Sequence, residues 1–211
     1  MKPIGDLATH VQKWSVNDDK KLFRLVCYLN STLNYKLKGV IGDDLSKLKL
    51  RLYADADFCG TKEDTKSTNG GFLVLYGPNT FFPLAWVSRK QTATSRSTTE
   101  SEIISLAYSL FSEALPMLSF WEAVSGGRFE LEIMEDNQAT IKIVENGFSK
   151  KLRHCTRTHK VNIGSISEIL KLDYVSIDYV RSESQAADIF TKALEPHKWL
   201  PALKLLGLDT G

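Results

Sequence analysis

The 211 residues carry 27 Lys and Arg against 25 Asp and Glu, a formal net charge of +2, with 43% hydrophobic and 25% charged residues. These averages exclude a histone-like basic arm and an acidic disordered tail, and at roughly 150 residues per domain the length allows one or two domains with ample core. No uninterrupted apolar run approaches the roughly 20 residues of a bilayer span, the N-terminus lacks the apolar stretch and cleavage site of a secretory signal, and three scattered cysteines (Cys27, Cys59, Cys155) fit a reducing compartment better than a disulfide framework.

In chain order, residues 1–47 read as a helical prelude. Asn17 is the expected N-cap, Leu22, Leu25, Val26 and Leu29 follow at helical spacing, and Gly39 and Gly42 close the segment. Period-two alternation then predicts a strand from Leu48 to Asp55, and two more from Gly71 to Tyr76 and Phe81 to Ser88, joined by a turn at Gly77–Asn79. A long helix is predicted from about Ser97, with Ile103, Ile104, Leu106, Ala107, Leu110, Phe111 and Ala114 on its apolar face and a break or kink at Pro116. A strand from Phe129 to Met134, a helix from Gln138 to Glu145, a basic stretch, a helix from Thr158 to Leu170, a strand from Tyr174 to Val180 and a helix from Ser184 to Leu194 complete the pattern. The order β-β-β-α-β-α-α-β-α predicts an α/β fold: a five-stranded mixed sheet with helices on both faces. The expected units are the prelude, one α/β domain over 48–195 and a tail over 196–211.

The acids fall at element ends. Asp55 closes the first strand, Glu102 lies in the first turn of the long helix, Asp136 follows the fourth strand and Asp188 sits early in the last helix. If the first and fourth strands are parallel neighbours, Asp55 and Asp136 emerge side by side, where ligands of open α/β sheets bind. Clustered carboxylates need a cation, and hard oxygen ligands select Mg²⁺, with Mn²⁺ as substitute. Two such ions about 3.5–4 Å apart suit phosphodiester cleavage.

The motifs YADADFCG (from Tyr53), KSTNGGFLVLYG (from Lys66), WVSRKQT (from Trp86), STTESEIISLAYS (from Ser97), EDNQATI (from Glu135), RTHKVNI (from Arg157) and ADIFTKAL (from Ala187) stand in order. Together they resemble the ribonuclease H domain of copia-type (Ty1/copia) retrotransposon polyproteins. The prelude resembles the segment that joins reverse transcriptase to that domain. The resemblance implies a ribonuclease H-like fold that binds two Mg²⁺ and cuts the RNA strand of RNA–DNA hybrids during reverse transcription. It implies Asp55, Glu102, Asp136 and Asp188 as metal ligands and catalytic residues. It also implies a reverse transcriptase neighbour, no membrane, and an intracellular setting, in cytoplasmic virus-like particles or the nucleus. Two features depart from the pattern: the segment from Arg181 to Ala187 has no histidine, and RTHKV stands where many copia elements read RTKHI.

Each site has a plainer reading. Asp55 and Asp57 could cap a turn; a calcium loop starting at Asp55 fails where Cys59 and Lys66 replace oxygen ligands. Ser97 with Glu100, and Thr99 with Glu102, both read as capping boxes. Helical geometry puts Glu100 nearer the middle of the apolar face, whereas motif register favours Glu102 as the second acid. Arg89, Lys90, Gln91, Asn137, Lys150, Lys151, Arg153, Arg157, His159 and Lys160 are expected to contact nucleic acid through backbone phosphates. His154, Cys155 and His159 invite a zinc reading but lack a fourth ligand at recognisable spacing. The rival functions are a catalytically silent scaffold or hybrid-binding module and an integrase-type strand transferase.

Overall fold

A computed structural model describes residues 2–60 and 65–210. Residues 61–64, within the calcium-loop reading, lie outside the described residues. The chain opens with α1 (Lys2–Thr9), α2 (Val16–Ser31) and the two-residue strand β1 (Lys36–Leu37). Ser15, not the predicted Asn17, is the N-cap of α2. Its hydroxyl accepts from the Asp18 amide while the Asp18 carboxylate accepts from the Ser15 amide, and that reciprocal pair beats a lone Asn.

Strands β2 (Lys49–Asp57), β3 (Thr68–Gly77) and β4 (Thr80–Lys90) form the predicted antiparallel meander. Strands β5 (Glu130–Glu135) and β6 (Val175–Tyr179) join parallel to β2, giving the order β4-β3-β2-β5-β6. This five-stranded mixed sheet is the α/β architecture that the element order predicts.

One face is covered by α3 (Thr98–Ser109), α5 (Gln138–Asn146) and α7 (Ile163–Leu170). Leu50, Leu52 and Ala54 of β2 meet Ile103, Leu106 and Leu110 there in the main core. The opposite face holds a second cluster in which Phe72 and Val74 meet Ala186, Phe190 and Leu206. That layer comes from α8 (Asp188–Thr191) and α9 (Pro196–Leu205).

Several boundaries differ from the sequence reading. Pro116 does not end the long helix. A π-turn over Leu110–Ala114 precedes it, and Pro116 sits in the first turn of α4 (Leu115–Ser125), where a missing N–H is tolerated. The continuous 28 residues from Thr98 to Ser125 are long and apolar enough to cross a membrane, which the sequence reading missed because acids and Pro116 interrupt the run. Half of the most apolar stretch is buried inside the protein, so the apolarity serves the core. The helix expected over 158–170 is two: α6 (Cys155–Thr158), and α7 capped by Asn162. The last predicted helix shrinks to the single turn of α8, and α9 forms from residues read as tail. The C-terminal strand β7 (Leu208–Asp209) pairs with β1, so the two flanks of the sequence meet.

Candidate active site

Parallel pairing of β2 with β5 brings their C-terminal ends together, as the first-and-fourth-strand expectation required. Asp55 is buried near the end of β2, and Asp136 follows β5 directly. Asp188 opens α8 from the opposite face. An oxygen from each of these three acids lies within 4.8 Å of the others. Glu102, in the first turns of α3, lines a cleft of about 570 Å³ with Asp55, Asp136, Asn137 and Lys192.

Glycines set these approaches. A Cβ on Gly70, which pairs with Asp55, would lie 2.4 Å from Thr191 Cγ2 and 3.0 Å from the Ala187 carbonyl oxygen. A Cβ on Gly71 would lie 2.5 Å from Ser109 Oγ. The adjacent pair therefore lets α8 close on one face and α3 on the other. Ser105 completes the frame: its hydroxyl donates to the Asp55 carbonyl at 2.6 Å and accepts from the Gly70 amide at 3.2 Å. Thr191 Oγ donates to the Asp55 carboxylate, and Ser182 Oγ donates to Asp136 at 2.8 Å.

Crowding perturbs the acids. Burial, then the charges of Asp55, Glu135 and Asp136, push Glu102 up to about 10. Burial and Asp55 raise Asp188 to about 7. Asp136 is raised chiefly by burial. Lys192 Nζ stands 3.3 Å from Asp55 and 3.0 Å from Asp188. Burial works against its charge, but the surrounding Asp55, Asp188 and Asp136 outweigh that and hold it protonated well above the ordinary lysine range. Glu102 Oε2 and Glu135 Oε2 are buried without hydrogen-bond partners. Such a set has the properties of a cation site: oxygen donors only, mutual repulsion and orphaned acceptors.

Glu100 and Glu102 separate cleanly. Ser97 caps α3 and accepts from the Glu100 amide, while the Glu100 carboxylate accepts from the Arg96 amide at 3.1 Å. Thr99 lies inside the helix, so the Thr99–Glu102 box does not form. Glu100 turns toward His154 and His159, and Glu102 turns toward the acids.

Part of the chain has known relatives. No protein-family model matches the chain. Over 86 residues it is 40% identical to the retrovirus-related Pol polyprotein from transposon RE1 of Arabidopsis thaliana, a match covering 41% of this chain and 5% of that protein. The corresponding polyprotein from transposon RE2 is 37% identical over 86 residues, with the same coverage. The chain is similar to the Pol polyproteins of retrovirus-related transposons. Its match spans about one twentieth of the length of those relatives. Among solved structures, LC11-RNase H1 isolated from compost gives a TM-score of 0.47 at 16% identity, covering 68% of this chain and 92% of that one. The RNase H domain of rv2228c from Mycobacterium tuberculosis gives 0.43 at 14%, covering 74% and 97%.

The residues expected to touch nucleic acid are spread over exposed and buried positions. Lys150, Lys151, Arg153, Arg157 and Lys160 are exposed on the stretch from the end of α5 through α6. Arg89 is exposed and Lys90 half-buried on β4, and with Lys160 they line a cavity of about 450 Å³ beside Tyr108 and Phe111. Arg89 also donates to the Tyr108 hydroxyl at 3.0 Å. Asn137 caps α5, its Oδ1 accepting from the Ala139 and Thr140 amides, and faces the acid cleft. Gln91 and His159 are both buried, although both line the cavity shared by Arg89, Lys90 and Lys160. The Gln91 amide donates to Asn69 Oδ1 and the Ser101 carbonyl and accepts from Ser95. It therefore ties β3 to α3 instead of reaching a phosphate.

The segment without a histidine is pinned in place. Gln185 is buried and donates to the Ala54 carbonyl at 3.0 Å, while Ser182 orients Asp136. Residues whose role sequence reasoning missed are Lys192, Thr191, Ser182 and Glu135. Thr191 and Lys192 lie within ADIFTKAL, three and four residues past Asp188 respectively, where one helical turn returns them to its side.

Proposed function

We propose that this chain hydrolyses the RNA strand of RNA–DNA hybrids with two Mg²⁺ ions, as part of retrotransposon reverse transcription. The convergence of Asp55, Asp136 and Asp188 within 4.8 Å, with buried Glu102 lining the same cleft, carries this reading. The donor set is hard oxygen throughout, and the unpaired Glu102 Oε2 supplies an acceptor with nothing else to satisfy it. Asp55, Glu102, Asp136 and Asp188 would hold the ions. When bound, the pair supplies an activated water and charge stabilisation for the departing 3′ oxygen.

The protein's own groups do the positioning. Asp55 is fixed by Thr191 and Ser105, and Asp136 by Ser182. Lys192 offsets the carboxylate charge from the α8 side. The exposed cations of 150–160 and the Arg89–Lys90 pair stand ready for phosphates, contacts that read duplex shape and leave sequence unread. By this reading the partners are the hybrid and the reverse transcriptase of the same polyprotein, in cytoplasmic virus-like particles or the nucleus.

The test is cleavage of an end-labelled hybrid. Mg²⁺ should give RNA fragments with 5′-phosphate and 3′-hydroxyl ends, and EDTA should abolish them. Cleavage that persists in EDTA would reject the reading.

A further inference from the structure

A second cluster of metal-ligating side chains lies behind the acid site. Glu100, His154 and Cys155 each present a donor atom within 4.8 Å of the others. The Arg96 amide holds Glu100 Oε2, which leaves Oε1 facing His154 Nε2 at 3.0 Å and His159 Nε2 at 3.2 Å. The Glu100 and His159 side chains are each 1% exposed. Although His159 sits so close to the carboxylate, and the Thr94 backbone lies beside its ring, neither ring nitrogen has a hydrogen bond of acceptable geometry. A buried imidazole held beside a carboxylate without a well-formed hydrogen bond leaves a ring nitrogen open to a further ligand.

We propose that Glu100, His154, Cys155 and His159 form a structural Zn²⁺ site. Glu100 is the fourth ligand that sequence spacing could not provide, because it comes from α3, more than fifty residues upstream. Zinc bonds of about 2.0–2.3 Å at tetrahedral angles separate ligand atoms by about 3.3–3.8 Å. Glu100, His154 and Cys155 already lie within 4.8 Å of one another, and His159 Nε2 stands 3.2 Å from Glu100 Oε1. Charge also balances: a carboxylate and a thiolate neutralise the ion, and two neutral imidazoles complete it, so the buried complex carries no net charge. The mixed nitrogen, sulfur and oxygen set selects zinc over the magnesium that suits the all-oxygen cluster. Local geometry favours the arrangement. Cys155 and His159 lie one helical turn apart, with the His159 amide donating to the Cys155 carbonyl at 2.9 Å, and Lys160 leaves the turn at φ +60°. The site would clamp the loop bearing Arg153, Arg157 and Lys160 to the N-terminal turn of α3, two residues from Glu102.

Cobalt(II) titration of the full chain, stripped with EDTA and held in excess Mg²⁺, tests this without reference to hybrid cleavage. One equivalent should bind with tetrahedral visible bands and a thiolate charge-transfer band, and Zn²⁺ should displace it. Cys155→Ser should remove the charge-transfer band, and Cys59→Ser should leave it. His154→Gln alters a partly exposed ring and should keep the fold by circular dichroism, while weakening cobalt binding at least about tenfold. Absence of a thiolate band in the wild-type chain, its survival in Cys155→Ser, or unchanged affinity in His154→Gln would each overturn the proposal.

Discussion

Replacing Glu102 with Gln should abolish cleavage and, in EDTA, stabilise the protein. The carboxyl titrates from an ordinary 4.5 to about 10 in the fold, because burial and then Asp55, Glu135 and Asp136 disfavour its charged form. Between those two values the folded state holds a proton that the unfolded state has lost. Unfolding free energy therefore falls as pH rises through that window, by about 1.4 kcal/mol per unit for this one group. From pH 4.5 to about pH 7.5 the loss reaches at most about 4 kcal/mol, and Gln removes the titration altogether. Urea unfolding of wild-type and Glu102→Gln chains across this range, in EDTA, should show a shallower pH slope for the variant and greater stability at neutral pH. Mg²⁺ should flatten the wild-type slope by favouring the ionised acids. A variant that is less stable than wild type at about pH 7.5, or that keeps the full slope, would refute the electrostatic picture of the cleft.

Other outcomes follow from the same geometry. Gly70→Ala should drive α8 off the sheet through its contacts with Thr191 and the Ala187 carbonyl, parting Asp188 from Asp55; isothermal titration should show Mn²⁺ affinity falling about tenfold or more. Asp188 is raised to about 7 and Glu102 to about 10, chiefly by burial, and both must lose their protons to bind metal; Mg²⁺ affinity should climb by up to about a hundredfold per pH unit below about pH 7 and about tenfold per unit above it, with proton release visible in buffers of different ionisation enthalpy. Alanine at Lys151 or Arg157 should weaken hybrid binding at all sequences and lower the slope of log affinity against log salt by about one each, whereas alanine at Gln91 should act through stability.

The antiparallel meander and the terminal acids were legible because strand alternation and short turns are local signals, whereas the meeting of Asp55 with Asp136 depended on the parallel pairing of β2 with β5, which the sequence reading could only make a condition. The Asp188 position was legible from its motif alone, since α8 is a single turn and has no periodicity to read. The choice between Glu100 and Glu102 was not legible. Periodicity assigns one inward face, but the first turns of α3 are buried on two sides, by the acid cleft and by the loop of 154–159. Two residues at about 100° each point nearly oppositely, so both acids are inside and serve different clusters. The burial of Gln91 and His159 escaped for a related reason. Polar residues in a basic stretch read as solvent-facing, and only tertiary packing shows Gln91 bonded to Asn69, Ser95 and Ser101. The role of Gly70 and Gly71 depends on what stacks over them, which no local pattern records. The β1–β7 pair went unseen because two-residue strands carry no periodicity, and α9 because Pro201 interrupts its helical pattern.

The most direct measurement compares the purified chain with Asp55→Asn on one hybrid, with each strand labelled in turn, in Mg²⁺. The wild-type chain should shorten the RNA strand and leave the DNA strand and free single-stranded RNA intact, and Asp55→Asn should lose this activity while keeping its circular dichroism. Equal RNA cleavage by both proteins, or equal cleavage of single-stranded RNA, would contradict the proposed function.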